Sequence, residues 1–308
     1  MTQKYPIIAV TGSSGAGTTS VQHAFAEIFR RLNIQAAFVH GDAFFRYSRD
    51  AMEKAIDDSI ASGNPVSHFG PDTNMFAELE NLFREYSTNG TGRIRHYIKD
   101  EDDAVLHKAP VGEFSDWSSL PNDSDLLFYE GLHGGVVAAT WARRRSSPAH
   151  IPAHQPERRK GNRGVDVAKY VDLLIGVVPV INLEWIQKIH RDCIQHQHTA
   201  ESVTSTILRR MNDYINFIVP QFSITDINFQ RVPVVDTSNP FESQDVPNAD
   251  ESVIVVHFRD PKRYDFPALM KNIRGAYMSR PNTMVVPGGV MTHALEVICT
   301  PIIRSLIH

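Results

Sequence analysis

Cysteine is nearly absent from this sequence, which carries only Cys193 and Cys299 among its 308 residues. Two thiols that lie so far apart exclude a disulfide framework and a zinc site built on cysteine. Apolar runs of about eighteen residues, which a membrane-spanning helix needs, are also missing, and so is a signal peptide. We therefore expect a cytoplasmic protein that does not enter a membrane.

Excess positive charge is missing as well, since the net charge is −4 and the isoelectric point is about 6.4. Such a balance argues against a nucleic-acid partner. The chain has 14 histidines, but His96, His107, His150 and His154 lie in polar surroundings, and we assign no metal cluster to them. The length suffices for one large domain or two, with a substantial core.

The N-terminal stretch is the most informative part of the sequence. An apolar run over residues 6–11 precedes a glycine-rich turn and a helical pattern through Leu32, which predicts a strand, a phosphate loop and a helix. Glycines let backbone amides converge on phosphate oxygens at a helix N-terminus. The loop residues are Gly12, Ser13, Ser14, Gly15, Ala16, Gly17, Thr18 and Thr19. Their spacing is that of a Walker A loop; the alternative is a plain turn.

Two parts of this loop deserve separate comment. Thr19 would place its hydroxyl on Mg²⁺, whereas Thr18 stands where the loop lysine normally lies.

Two acidic residues each follow a predicted strand. Asp42 comes after the strand 36–40, and Glu130 ends the apolar run 126–129, as a Walker B acid does. Each of these acids has an alternative role as a helix cap or turn former.

A second group of candidates lies on predicted helices. Lys188, Arg191 and Asp192 share one face of a helix over 182–192, after an apolar strand over 171–178. A solvated charged face is the alternative. Another helix, from 199 to 211, carries Arg209 and Arg210. Further strands are predicted at 233–235, 252–258 and 283–286, and a closing helix at 292–307.

Residues 141–163 differ in composition from the rest of the chain, because seven basic residues crowd there among three prolines with one acid. Such a stretch cannot build a core, so we predict a solvated surface loop. Elsewhere strands and helices alternate without a clean linker. This order indicates an α/β fold: one domain over residues 1–308, with a mostly parallel sheet flanked by helices.

Several of these strings together resemble the phosphoribulokinase family over nearly the whole chain. They are residues 12–19, 41–44, 128–134 and 178–192, and also the blocks 228–233 and 236–241. The resemblance is strongest to the bacterial, octameric branch, which also lacks a lysine in its phosphate loop. It implies a P-loop kinase fold and a kinase that uses ATP and Mg²⁺ to phosphorylate the 1-hydroxyl of ribulose 5-phosphate in the Calvin cycle.

The resemblance also implies a role for each candidate. Asp42 resembles the general base, Asp192 a second essential acid, and Glu130 the Walker B acid; with Thr19, both Glu130 and Asp192 are candidate Mg²⁺ ligands. Lys188, Arg191 and Arg49 resemble contacts to the sugar phosphate and the transferring phosphoryl group. Arg209 and Arg210 resemble a pair tied to activation by NADH and inhibition by AMP.

Three features depart from the family pattern. Phe45 replaces a substrate-contacting histidine, His196-Gln197-His198 occupies a stretch that commonly holds an arginine and a glycine, and the loop 141–163 is longer than its usual counterpart. The first departure predicts weaker binding of the sugar phosphate. Two other functions stay open: a uridine-kinase-like nucleoside kinase, and a nucleotide-binding regulator with little turnover.

Overall fold

The computed structural model describes residues 5–12, 18–138, 164–195, 198–241 and 245–307. The chain divides into two compact units. The first comprises Met1–Ala9, Gln35–Asp172 and Arg209–Ser223, and the second comprises Val10–Ile34, Leu173–Leu208 and Ile224–His308. The predicted basic loop at 141–163 lies outside the described residues.

The first unit pairs two parallel strands and surrounds them with helices. Strand β2 runs beside β5 in a register that places His40 opposite Glu130. Phe83 of the amphipathic helix α3 packs on Tyr129 of β5 with ring centroids 5.4 Å apart. The elements of this unit are β2 (Ala36–His40), α2 (Arg49–Ala61), α3 (Phe76–Asn89), β3 (Arg93–Ile94), α4 (Glu101–His107), β4 (Ser118–Ser119) and β5 (Leu126–Gly131).

The second unit carries a longer run of strands. In it β6 and β7 are parallel, whereas β8 is antiparallel to β7 and to β10, and β10 is antiparallel to β9. Its elements are α1 (Thr18–Leu32), β6 (Leu173–Val178), α5 (Ile181–Gln195), the start of α6 (Ala200–Asp213), β7 (Ile227–Pro233), β8 (Ser252–Phe258), α7 (Phe266–Asn272), β9 (Tyr277–Arg280), β10 (Thr283–Pro287) and α8 (Met291–Ile307).

Strand β1 (Ile7–Gly12) is divided between the two units, and two hydrogen bonds fix the direction of its neighbours. The Leu127 amide donates to Pro6 at 3.0 Å, and the Asp172 amide donates to Ile7 at 2.9 Å. Strand β5 therefore starts beside the start of β1 and runs parallel to it. The strand order is β2-β5-β1 in the first unit and β1-β6-β7-β8-β10-β9 in the second. The predicted α/β class with a mostly parallel central sheet is confirmed.

One strand was predicted in the wrong place. Residues Val234 and Val235 are exposed and follow the strand, which is Ile227–Pro233 instead of 233–235. Polar Asn228 and Gln230 alternate with buried Ile227 and Phe229, so no apolar run marks this strand. Helices α4 and α7 and strands β4 and β9 were not predicted.

The C-terminal helix α8 is rich in apolar residues. By length and composition alone, the 20-residue stretch Gly288–Ile307 could cross a membrane. However, this stretch also packs on α1, and one face of α8 is buried in the second unit through Ala294, Leu295, Ile298, Cys299 and Ile303. A core helix with one buried face accounts for this packing.

Candidate active site

Asp42 lies in a 3₁₀ turn, Gly41–Phe44, that follows β2 directly. The turn is held by the backbone: the Phe45 amide donates to the Asp42 carbonyl at 3.1 Å, and the Met75 amide donates to Phe44 at 2.8 Å. Because a strand end and several hydrogen bonds fix the main chain, the half-buried carboxylate of Asp42 has a defined position in the first unit.

Arg95 clamps this turn from a distant part of the chain. Its Nε donates to the Ala43 carbonyl at 2.9 Å, and its Nη2 donates to the Phe45 carbonyl. The guanidinium lies 3.6 Å from the centroid of the Phe114 ring and 5.2 Å from that of Trp117. Trp117 also meets Phe44, with ring centroids 6.3 Å apart. Burial lowers the pKa of Arg95, which stays a cation at neutral pH.

Lys99 is a functional candidate that the sequence reasoning missed. Its Nζ lies 2.9 Å from Oδ2 of Asp42. Burial would lower the pKa of Lys99, but the carboxylates of Asp42 and Glu130 outweigh it and hold that pKa above its ordinary value. In the sequence Lys99 is a single lysine before an acidic run, and nothing local connects it with Asp42.

Glu130 lies at the end of β5, next to the end of β2. Its Oε2 is 3.6 Å from Nδ1 of His40, and it attracts the ammonium of Lys99, as Asp42 does. The first unit thus brings two carboxylates and one ammonium to the carboxyl edge of neighbouring parallel strands. This is the edge at which open α/β sheets bind ligands.

Close packing of two glycines makes this arrangement possible. A Cβ on Gly131 would lie 2.7 Å from the Cα of Gly41 and 2.8 Å from the Tyr129 hydroxyl oxygen. A Cβ on Gly41 would lie 2.5 Å from the same hydroxyl. Any side chain at either position would therefore separate the turn that carries Asp42 from the strand that carries Glu130.

Arg49 and Phe45 also lie in the first unit. Arg49 begins α2, and its Nη2 donates to the carbonyl of Lys99 at 3.4 Å, so it is near the backbone of that lysine. Phe45 is half-buried, and its ring meets His68 and Tyr97 edge-on at centroid distances of 5.1 and 6.1 Å. The position that departs from the family pattern is therefore part of an aromatic cluster.

The second unit places Lys188, Arg191 and Asp192 together on α5, as the helical spacing predicts. Asp192 is buried; Lys188 binds its Oδ2, and Nε of Arg191 lies 3.0 Å from its Oδ1. Burial would raise the pKa of Asp192, but the hydrogen bonds from Lys188 and Arg191 outweigh it and lower that pKa. Both carboxylate oxygens are thus engaged by cations of the same helix.

The phosphate loop is described only at its two ends. Gly12 ends β1, and Thr18 and Thr19 open α1, whereas residues 13–17 lie outside the described part of the chain. His196 and Gln197 lie outside it too. Arg209 and Arg210 lie in the last two turns of α6, in the first unit. Nη1 of Arg209 donates to the Val66 carbonyl at 2.7 Å, and the Arg210 guanidinium lies 6.0 Å from the centroid of the Phe69 ring.

The site contains some, but not all, of the oxygen ligands that a hard cation such as Mg²⁺ needs. Glu130 offers a carboxylate at a strand end, which suits Mg²⁺. Asp192 would have to release Lys188 or Arg191 before it could bind a metal. Among the residues that the structure describes, no group of three histidine, cysteine or acidic side chains forms a metal site by itself. A metal here would complete its shell with water or ligand phosphates.

Comparison with known proteins gives one consistent result. The model of the "Phosphoribulokinase / Uridine kinase family" matches residues 7–238. The chain is 51% identical to the phosphoribulokinase of Nitrobacter vulgaris over 308 residues, covering 100% of this chain and 98% of that protein. It is 50% identical to the chromosomal phosphoribulokinase of Cupriavidus necator over 307 residues, covering 99% and 97%.

A solved structure agrees with these relatives. The phosphoribulokinase from Rhodobacter spheroides superimposes with a TM-score of 0.83 at 47% identity, over 99% of this chain and 98% of that one. At this level of identity and coverage the likeness extends to the whole fold and to the elements that carry the candidate residues.

Proposed function

This chain belongs to the phosphoribulokinase and uridine kinase family, and on that premise we propose that it phosphorylates the 1-hydroxyl of D-ribulose 5-phosphate with ATP. The products are D-ribulose 1,5-bisphosphate and ADP, and the setting is the Calvin cycle. The near full-length identity with proteins named phosphoribulokinase supports this substrate. The observation that carries the mechanism is the fixed Asp42 carboxylate beside Lys99 and Glu130.

Asp42 is the proposed general base. A carboxylate within hydrogen-bond reach can accept the sugar hydroxyl proton as that oxygen attacks the phosphoryl group. Within the part of the chain that the structure describes, Lys99 engages Oδ2 of Asp42, so Oδ1 is the oxygen that we assign to the proton. Lys99 keeps the carboxylate oriented and adds positive charge near the reacting oxygen.

Nucleotide binding is assigned to the loop Gly12–Thr19, whose amides and helix N-terminus suit phosphate groups. Thr19 and Glu130 would hold Mg²⁺, with Asp192 as a further ligand; when bound, the ion neutralises charge on the phosphate oxygens. Lys188, Arg191 and Arg49 would contact the sugar phosphate and the transferring group. They would supply the positive charge that Thr18 does not.

The remaining assignments extend the proposal to regulation and assembly. Arg209 and Arg210 would respond to NADH as activator and AMP as inhibitor. We assign the whole length, 1–308, to one kinase domain that acts in the cytoplasm as a homo-oligomer, an octamer by resemblance. The hydrogen bond from Arg209 to Val66 means that an effector at this arginine would act on a group already tied to its own chain.

Replacing Asp42 by Asn tests the assignment directly. We expect kcat with ribulose 5-phosphate to fall by about 10²–10⁴, the contribution of a general base, while ATP binding stays near the wild-type value. ADP release and calorimetric ATP binding are the two measurements. Asp58→Asn, at an exposed position of α2, is the matched control and should be unchanged.

The same assay separates the rival functions. ADP release that depends on uridine instead of ribulose 5-phosphate would favour a nucleoside kinase, and ATP binding without turnover would favour a regulator. If Asp42→Asn retained more than about a tenth of wild-type kcat, Asp42 would not be the base, since such a loss is far below that expected.

A further inference from the structure

Three alternate residues of the segment 95–99 contact the turn that carries Asp42 and the residue that follows it. The Tyr97 ring meets the ring of Phe45 edge-on, and Nζ of Lys99 lies 2.9 Å from Oδ2 of Asp42. The third residue, Arg95, donates to two carbonyls of the main chain. Side chains two residues apart lie on the same side of an extended chain. One face of this segment is therefore directed at the turn.

Backbone hydrogen bonds anchor the segment to another part of the first unit. The Ser115 amide donates to the His96 carbonyl at 2.9 Å, and the Ile98 amide donates to the Glu113 carbonyl at 2.9 Å. The side chain of Ile98 is fully buried. These contacts do not involve the turn at Asp42. The segment thus has its own support, from which its side chains can hold the turn.

The amides nearest to the two carbonyls that the guanidinium binds donate elsewhere. In a 3₁₀ turn the Ala43 carbonyl would accept from the Arg46 amide, but this amide donates to the Thr73 carbonyl at 2.8 Å. For the Phe45 carbonyl a helical bond would come from the amide four residues on, which donates to Gly112 at 2.8 Å. The guanidinium therefore supplies donors that the local backbone directs to other partners.

Aromatic rings hold the guanidinium in the orientation that both hydrogen bonds need. Arg95 is half-buried, and its guanidinium lies 3.6 Å from the centroid of the Phe114 ring and 5.2 Å from that of Trp117. A planar guanidinium stacks on aromatic faces and directs its donors outward in a rigid fork. Since Nε and Nη2 belong to one fork, the two carbonyls that they bind are held at a fixed spacing.

We propose that Arg95 is a positioning residue for the general base, because it fixes the turn and thereby the direction of the Asp42 carboxylate. The proposal rests on the proposed kinase function and adds to its mechanism a residue that acts through Asp42. A base must lie within about 3 Å of the hydroxyl whose proton it accepts, and a displacement of about 1 Å can lower the rate by about 10². Loss of Arg95 should therefore lower kcat and not the affinity for ATP.

ADP release and calorimetric ATP binding by Arg95→Ala test this expectation. We expect kcat with ribulose 5-phosphate to fall by about 10- to 100-fold, while ATP binding stays near the wild-type value. The matched control is Arg93→Ala. Arg93 is exposed and lies two residues earlier, and its Nη2 donates to the Trp117 carbonyl at 3.2 Å instead of to the turn. This control should keep the wild-type kcat.

A double-mutant cycle separates positioning of the base from general support of the fold. In the Asp42→Asn background the base is already lost, so Arg95→Ala should change kcat by less than about twofold. A residue that only supports the fold would lower kcat by the same factor with and without Asp42. The cycle therefore measures whether Arg95 acts through the carboxylate.

Chemical rescue and a conservative variant complete the test. Arg95→Ala leaves a gap beside the Phe114 ring that a guanidinium ion fits. Guanidinium chloride below its denaturing concentration should therefore restore part of kcat, whereas sodium chloride at equal concentration should not. If Arg95→Ala does not fold, Arg95→Lys replaces it in the cycle, since lysine keeps the positive charge but lacks the planar fork. Its kcat should also fall, with ATP binding unchanged.

Two results would overturn the proposal. The first is a folded Arg95 variant with wild-type kcat, and the second is an equal loss of kcat with and without Asp42. If the wild type phosphorylates uridine instead of ribulose 5-phosphate, the substrate assignment fails, and the same cycle with uridine as acceptor still decides the role of Arg95. A wild type that turns over neither acceptor has no base to position, and both proposals then fail.

Discussion

The imidazole of His133 lies fully buried in the first unit, with its ring centroid 4.6 Å from that of Phe76. Burial lowers its pKa to about 3, whereas an unfolded chain takes up this proton at about pH 6.5. Between these values the unfolded state binds more protons than the folded state. Stability must therefore fall as the pH falls through this window.

His133→Leu should remove this acid sensitivity, because leucine is apolar and does not titrate. For the wild type, the linkage costs about 2 kcal/mol of unfolding free energy between pH 7 and pH 5. Urea unfolding at pH 7 and at pH 5 measures this decrease in unfolding free energy. In His133→Leu the decrease should be smaller by about 2 kcal/mol. His23→Gln, at an exposed position of α1, is the control and should behave as the wild type does. An equal loss in wild type and His133→Leu would contradict the burial argument.

Phe45 raises a different question, because it lies three residues after the proposed base. A histidine at this half-buried position can donate a hydrogen bond to a sugar phosphate, whereas a phenyl ring cannot. We predict that Phe45→His lowers KM for ribulose 5-phosphate by about tenfold, with a smaller change in kcat, as recovered uniform binding does. Steady-state kinetics and the melting temperature measure both effects.

Phe45→Leu is the control, since it removes the ring without adding a donor. The contrary outcome for Phe45→His is an unchanged KM with a lower melting temperature. That result would mean that the ring serves only to pack against His68 and Tyr97.

At the scale of elements, the turn after β2 and the end of β5 depend on one close contact. We predict that Gly131→Ala lowers activity more than tenfold and costs about 1–3 kcal/mol of stability, because its Cβ overlaps the backbone of Gly41. Activity and urea unfolding of the purified variant test this. Adding Tyr129→Phe removes the hydroxyl contact but not the backbone contact, so it should restore little. A Gly131→Ala variant with wild-type activity would show that the turn and strand can separate harmlessly.

Helix α5 shows why a correct secondary structure does not settle a role. The sequence spacing places Lys188 and Asp192 one turn apart, and the structure pairs them. The same spacing does not reveal that Arg191 occupies the second carboxylate oxygen. Any ligand that binds Lys188 or Arg191 must therefore displace that side chain from its ion pair with Asp192. Binding of such a ligand consequently depends on the charge of Asp192.

For the whole molecule, the elements that were predicted correctly are those marked by a pattern among neighbouring residues in the sequence. Strand β2 and helix α5 follow from a short apolar run and from helical spacing, and the sequence predicted them to within a few residues. Strand β7 was misplaced because its partners β6 and β8, rather than its composition, define it. Lys99 was missed for the same reason, since its partner Asp42 lies far away in the chain.

The two thiols give a prediction about the chain as a whole. Cys299 is buried in α8, and burial raises its pKa to about 12, whereas Cys193 is half-buried on α5. We expect one thiol to react with iodoacetamide in the native protein and the second only on unfolding. Mass spectrometry across a urea series counts them, with Cys193→Ser as the control that should label at neither site when native.

Redox control should be absent as well, because the position of a regulatory loop cysteine in plant phosphoribulokinases is Ala16 here. Activity that falls under mild oxidant and returns with a dithiol would contradict the absence of redox control. Rapid labelling of both thiols in the native protein would contradict the burial of Cys299.

Trp117 touches both the Arg95 guanidinium and Phe44, and so lies against the turn that carries Asp42. An indole beside a cation is sensitive to small changes in that distance, so its fluorescence follows the turn. The chain has three tryptophans, and the other two, Trp141 and Trp185, can be replaced by phenylalanine. Binding of a sugar phosphate at the turn would then change the emission wavelength and the fluorescence lifetime of Trp117. A stopped-flow instrument can follow this change without any added label.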